Sequence, residues 1–167
     1  MKTRLFIGID PGLSGGIAML GGNETVVRPM PVMNHPKGRG RCVDANALRG
    51  VITQAVARHP QSPLVVIERQ QPMPKQGVTS TFSIGESFGL LIGICVGLEL
   101  PFEIVPARVW QKVVFNGIAS KNTKAASIRK CGELYPTVCL LPTPRCKKPS
   151  DGMADALMIA TFAQRCL

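Results

Sequence analysis

Phe6 to Ala18, FIGIDPGLSGGIA, decides the reading: an apolar run ends in an acid, a Pro-Gly turn and a series of small residues follow, and a second apolar run begins. Arg4 to Asp10 (RLFIGID) has the continuous apolar character of a buried strand, and Pro11-Gly12 with the small residues up to Gly16 makes a tight turn. Gly16 to Leu20 and Thr25 to Val32 continue as two further strands of a meander, with Gly21-Gly22-Asn23 as the hairpin signal. An acid directly after a buried strand projects from the sheet edge, where the backbone turns away and a ligand can approach. The same arrangement recurs at Leu64 to Glu68 (LVVIE).

Between and after these strands the pattern turns helical. Asn34 to Arg41 (NHPKGRGR) reads as an irregular basic loop, and Asp44 is a good N-cap for a helix to about Arg58, with Ala45, Leu48, Val51, Ile52, Ala55 and Val56 on its apolar face. A loop rich in Gln, Pro and Lys, Gln70 to Thr79, precedes a helix from Phe82 to Leu98; Phe102 to Val105 is a short strand and Pro106 to Phe115 a short helix. Ser120 or Asn122 can cap a helix to Tyr135, where Pro136 stops it, and the basic segment PTPRCKKPS leads into a last helix, Asp151 to Arg165. The order predicts an α/β fold with a mixed sheet.

A chain of 167 residues fits one domain with a single substantial core, and 45% hydrophobic residues exclude a disordered chain. Aromatics at 5% argue against a base-stacking platform. Twenty Lys and Arg against ten Asp and Glu give a net charge of +10, which points to a polyanionic partner. The six cysteines show no CxxC spacing and read as reduced thiols rather than a zinc site or a disulfide framework. No signal or transit peptide is expected before Phe6, and the longest apolar run, Phe88 to Leu98, is too short to span a bilayer, so the expectation is a soluble protein without a membrane partner.

Asp10 and Glu68 converge if their strands are neighbours, and two like charges so placed repel unless a cation neutralises them. Asp151 and Asp155 stand four apart, on one face of a helix and about one turn from each other. An N-cap role is the plain alternative for Asp151. Four carboxylates are a hard-oxygen ligand set for two Mg²⁺ or Mn²⁺ ions, about 4 Å apart in the arrangement suited to phosphodiester hydrolysis.

FIGIDPGLSGGIA, VVIE (65–68) and DGMADALMIA (151–160) resemble, in order, the three acid motifs of the RuvC family of Holliday junction resolvases. The stretch from Glu68 to Gly93, an acid, a Pro/Gln/Gly-rich loop and a Gly-rich apolar helix, is most similar to the plastid branch and related phage and bacterial proteins, and likeness extends to PARVWQKVVF (106–115). The resemblance covers most of the chain. It implies an RNase H-like fold, a central five-stranded mixed sheet flanked by helices, and a homodimer on a four-way DNA junction making paired nicks of the same polarity. It also implies that Asp10, Glu68, Asp151 and Asp155 are the ligands of the two Mg²⁺ or Mn²⁺ ions of each active site. Some family members have His at the first acid of the last motif, or a spacing of three. Cytoplasm or nucleoid, a phage-infected bacterium, or an organellar matrix after loss of a transit peptide are the compartments such a protein occupies.

Family resolvases also hold the scissile phosphate with lysines in the region where Lys112, Lys121 and Lys124 fall, and the sequence does not choose among them. The loop after Glu68 should lie over the substrate, with Gln70, Gln71, Lys75 and Gln76 as donors to phosphates or base edges and Met73 as an apolar wedge. The resemblance leads one to expect an aromatic in that loop, and none is there. Two further basic clusters, Lys37, Arg39 and Arg41, and Arg145, Lys147 and Lys148, are candidates for DNA contact or plain solvated runs. Gly85, Gly89, Gly93 and Gly97 make a bare stripe on one helix, there for close approach of the same helix in a second subunit or of the sheet beneath. Trp110 is expected in the core. Competing readings are an actin-like ATPase, for which the chain is too short, an RNase H-fold nuclease acting on an RNA–DNA hybrid or flap, and a non-catalytic DNA-binding module, against which four intact acids argue.

Overall fold

The computed structural model describes residues 4–36, 38, 40–59, 63–116 and 123–167. Its centre is a five-stranded mixed sheet in the order β3-β2-β1-β6-β7, formed by β1 (Phe6–Asp10), β2 (Gly16–Gly21), β3 (Glu24–Pro29), β6 (Leu64–Glu68) and β7 (Phe102–Val105). The meander β1-β2-β3 is antiparallel, while β6 and β7 join parallel to β1. Helices α1 (Ala45–Arg58), α2 (Val78–Gly97), α3 (Ala107–Val114), α4 (Thr123–Leu134) and α5 (Asp151–Cys166) complete the molecule.

Strand alternation distributes the core between the two faces. Along β1, Leu5, Ile7 and Ile9 turn to one side with Val65 and Ile67 of β6, where they pack with Leu48 and Ile52 of α1 and Leu91 and Cys95 of α2. Phe6 turns to the other side with Leu64 and Val66, against α5, Trp110 of α3 and Cys131 of α4. Gly8 lies on this second face, where a β-carbon would collide with the backbone of Ala156 and Ala160, so the bare strand lets α5 press directly on the sheet. Gly152 does the same at the start of α5, against the backbone of Ser14 and Gly15. Helix α5 is buried nearly all round from Gly152 to Ala163, and its two acids are the exceptions.

Several boundaries differ from the expected ones. The third strand stops at Pro29, because Pro29 and Pro31 bring no N–H to a ladder and Met30 turns its amide to Gly15 O. Beyond them a small antiparallel sheet forms from β4 (Val32–Asn34) and β5 (Arg41–Val43), which takes in the two end residues of the expected basic loop, Asn34 and Arg41. Asp44 caps α1 as expected, accepting from the amide of Ala47 at 2.9 Å. Helix α2 begins at Val78, before the expected Phe82, and so becomes 20 residues long. By length and composition it could cross a bilayer, which Phe88 to Leu98 alone could not, but Ser87, Leu91 and Cys95 bury its inner side.

Candidate metal and nucleic-acid site

The register of the sheet places the two strand-terminal acids. Strand β1 pairs with β6 from Phe6–Leu64 to Ile9–Ile67, so the next step sets Asp10 beside Glu68. Alternation puts both on the α5 face: Phe6, Gly8 and Asp10 share one side of β1, as Leu64, Val66 and Glu68 share one side of β6. Asp151 and Asp155 come to the same edge from the first turns of α5. Ser150, not Asp151, caps that helix, its hydroxyl accepting from the amide of Met153 at 3.2 Å. Asp151 stands in the first turn, where the amides of its own residue and of Gly152 also favour its charged form.

The carboxylates influence one another: Asp10 faces the charge of Asp151, Glu68 that of Asp10, and Asp155 those of all three. Burial raises Asp10 to about 6, and the charge of Asp151 adds to the effect. Burial likewise lifts Glu68 to about 7, reinforced by Asp10. Asp155 is pushed up to about 7, first by burial and then by the charges of Asp10, Glu68 and Asp151, against the lowering effect of Ser127. Asp151 goes the other way, because Lys124 holds its carboxylate in the charged form; Nζ lies 2.6 Å from Oδ2. The same contact raises the lysine, which also senses Asp155 and Asp10. Four acids at one sheet edge, three of them holding protons toward neutrality, form a cluster that a cation would discharge.

Each acid is held by a different partner. Asp10 accepts from the amide of Gly12 at 3.3 Å, in the turn that ends β1. Glu68 Oε2 accepts from the indole N–H of Trp110 at 2.8 Å, and the ring itself is fully buried, edge-on to Phe115. Asp155 Oδ1 accepts from the hydroxyl of Ser127, a fully buried residue of α4. With their oxygens drawn toward separate donors, no three His, Cys, Asp or Glu side chains among the described residues close into a ready-made metal cage. The roles of Trp110 and Ser127 were missed in the sequence. An indole in a short helix reads as packing alone, and a serine among AAS is silent until α4 is seen to lie against α5.

The remaining candidates divide by position. Of the described lysines, Lys124 is the one brought to the acids, while Lys112 stands exposed on α3, about 200° around the helix from Trp110. Lys37, Arg39 and Lys121 lie outside the described residues. Arg41, in β5, is exposed. Met73 is 62% exposed in the turn after β6, flanked by exposed Gln71 and Lys75, the latter at a φ of +65°. Gln76 is committed to that turn, accepting from the amide of Met73 at 3.0 Å and donating to Ser80 at 3.1 Å. Gln70 lines a groove beside the Pro11–Leu13 turn. Arg145, Lys147 and Lys148 are exposed in the segment that delivers Ser150 and Asp151 to the cluster.

No family model matches this sequence, and no curated protein does. Solved structures do. Thermus thermophilus RuvC superposes with a TM-score of 0.56 at 16% identity, over 96% of this chain and 95% of that one. The fold is that of RuvC. A second structure of T. thermophilus RuvC, in complex with a Holliday junction substrate, gives a TM-score of 0.55 at 12% identity with the same coverage. The yeast mitochondrial Holliday junction resolvase gives 0.53 at 15%, over 96% of this chain and 77% of its own.

Proposed function

We propose that this chain is a divalent-metal-dependent endonuclease that resolves four-way DNA junctions by paired symmetric nicks, acting as a homodimer. The observation that carries the reading is the placement of Asp10 and Glu68 at adjacent strand ends, with Asp151 and Asp155 brought to the same edge by α5 and the ammonium group of Lys124 seated on Asp151. The donor set fits Mg²⁺ or Mn²⁺, since it is all carboxylate, has no thiolate or imidazole, and is too acidic to be comfortable without a cation. Asp10, Glu68, Asp151 and Asp155 would hold two such ions, which when bound supply an activated water and charge neutralisation for phosphodiester hydrolysis.

The chain's own contributions are positional. Trp110 and Ser127 aim Glu68 and Asp155, each fixing one carboxylate oxygen. Lys124 reaches Asp151 from the first turn of α4 and is 74% exposed, so the same side chain can reach a phosphate laid over the acids. The surplus of ten positive charges supplies the sequence-independent attraction to DNA.

Dimerisation is supported by the outer side of α2. Val78, Phe82 and Val96 are 86%, 71% and 62% exposed on it, and a β-carbon added at Gly85, Gly89, Gly93 or Gly97 would meet only open space. The sheet beneath is therefore not what the glycines accommodate. Each glycine weakens the helix by about 1 kcal/mol relative to alanine, which close packing of a second α2 would offset.

A labelled four-way junction, an RNA–DNA hybrid and a linear duplex, each incubated with Mg²⁺ or Mn²⁺, test the proposal. Paired nicks at symmetric positions in the junction alone are expected. Cleavage of the hybrid in preference would move the chain to another nuclease class, and no cleavage of any substrate would remove the activity.

A further inference from the structure

The four acids differ in the kind of partner that holds them. Asp10, Glu68 and Asp155 each accept from a neutral group, the amide of Gly12, the indole of Trp110 and the hydroxyl of Ser127, and a carboxylate so held still has its charge to offer a cation. Asp151 is held by a full positive charge, with Lys124 Nζ 2.6 Å from its Oδ2. That ammonium is drawn by Asp155 and Asp10 as well, so it stands where a cation would discharge the cluster. Helix α4 puts it there. Ala126, Ser127 and Cys131 are buried in that helix, with Ser127 on Asp155 and the thiol of Cys131 donating to the carbonyl of Ala154 at 3.5 Å. These contacts fix the backbone from which Lys124 springs, while its side chain is 74% exposed and long enough to swing without moving the helix.

We propose that Lys124 is a built-in counter-ion that competes with a divalent ion for Asp151 and gives way when a DNA phosphate draws its ammonium group off. This rests on the metal-ion reading above. Asp151 cannot take a divalent ion while it holds the ammonium without setting two positive charges side by side, so the lysine and the metal are rivals for one carboxylate. A phosphate laid over the acids offers the ammonium another anion. Phosphate and metal then favour the same arrangement of Lys124, and by linkage each raises the affinity of the other. Without DNA the ion at Asp151 binds weakly, and full loading coincides with the arrival of the strand to be cut.

Mn²⁺ binding to the full chain, read from the electron paramagnetic resonance signal of the free ion, tests this without any cleavage. Lys124→Met should tighten the weaker binding step by roughly tenfold, an ordinary size for coupling between sites. Lys124→Arg, which keeps the charge, should return it toward wild type. Lys112→Met removes the same charge from an exposed position on α3 and should change neither step. In a gel shift with Ca²⁺ in place of Mn²⁺, the ion should tighten junction binding several-fold for the wild type and much less for Lys124→Met. Equal Mn²⁺ affinity in wild type and Lys124→Met would reduce the contact to a surface ion pair and overturn the proposal, with the metal site left standing. An equal gain in Lys112→Met would overturn it too, since net charge alone then accounts for the change. If Ca²⁺ helps both proteins equally, the phosphate does not draw Lys124 off and the proposal fails. Absence of Mn²⁺ binding in every variant removes the metal site, and the competition for it falls at the same time.

Discussion

The two faces of the central sheet are built to different ends. On one, α5 lies buried between the sheet and α3 and α4, and each charged group at its mouth is engaged: Asp151 with Lys124, Asp155 with Ser127, Glu68 with Trp110. On the other, α1 and α2 cover the sheet, but the outer side of α2 is left bare, with exposed Val78, Phe82 and Val96 around a line of glycines. On the proposed function, the closed face would serve chemistry at a phosphate and the open face, with its bare apolar surface, would receive a second subunit. Changes on the first face should alter nicking and leave assembly alone; changes on the second should do the reverse.

The largest effect is expected from Asp10→Asn, which should lower junction nicking by more than about 100-fold, beyond what loss of a supporting partner costs a metal site. Junction affinity in a gel-shift assay should stay near wild type, since the basic surface supplies most of the binding. Full nicking by this variant would separate Asp10 from the reaction. Trp110→Phe and Ser127→Ala come next, each lowering nicking by roughly 10- to 100-fold through the carboxylate it no longer aims. Retained activity in both would reduce these contacts to packing.

On the open face, a β-carbon added at Gly89 meets nothing within 4 Å, so Gly89→Leu should leave the melting temperature near wild type. Light scattering should nevertheless show the dimer shifted to monomer, because the added side chain blocks close approach of a second α2. A dimer that persists would place the subunit seam elsewhere.

The smallest effect is a stability change with pH. Burial keeps Asp155 protonated up to about 7 in the folded chain, whereas an unfolded aspartate loses its proton near 3.9. Between those values the native state holds a proton that the unfolded state has lost, so this group's contribution falls as pH rises toward 7. Asp155→Asn has no charge to bury and is expected to melt a few degrees above wild type at about pH 8, with the difference vanishing near pH 4. Scanning calorimetry at both values checks the sign.

Much of this division was legible in the sequence, and the reasons are local. FIGID and LVVIE declare their strands by unbroken apolar runs, and alternation then dictates that Asp10 and Glu68 share a face once the strands are neighbours. The spacing of Asp151 and Asp155 is fixed by the helix alone. What was not legible depends on contacts between distant segments. Three-residue strands such as β4 and β5 have too few positions to show a period, and Pro29 and Pro31 conceal the break before them. The indole N–H that reaches Glu68 crosses 42 positions of chain, and the Ser127–Asp155 contact 28. The N-cap role, the alternative to a ligand role for Asp151, falls to Ser150, which accepts from Met153.

The central claim is that the four acids make one site for divalent ions, and a Mn²⁺ titration followed by calorimetry in two buffers of different ionisation enthalpy addresses it directly. Near pH 6.5 the account predicts two ions bound per chain with net proton release, because Glu68 and Asp155, raised to about 7, keep most of their protons there and the metal must displace them, and it predicts loss of binding in Asp10→Asn. Absence of Mn²⁺ binding, or binding unchanged in that variant and without proton release, would contradict it.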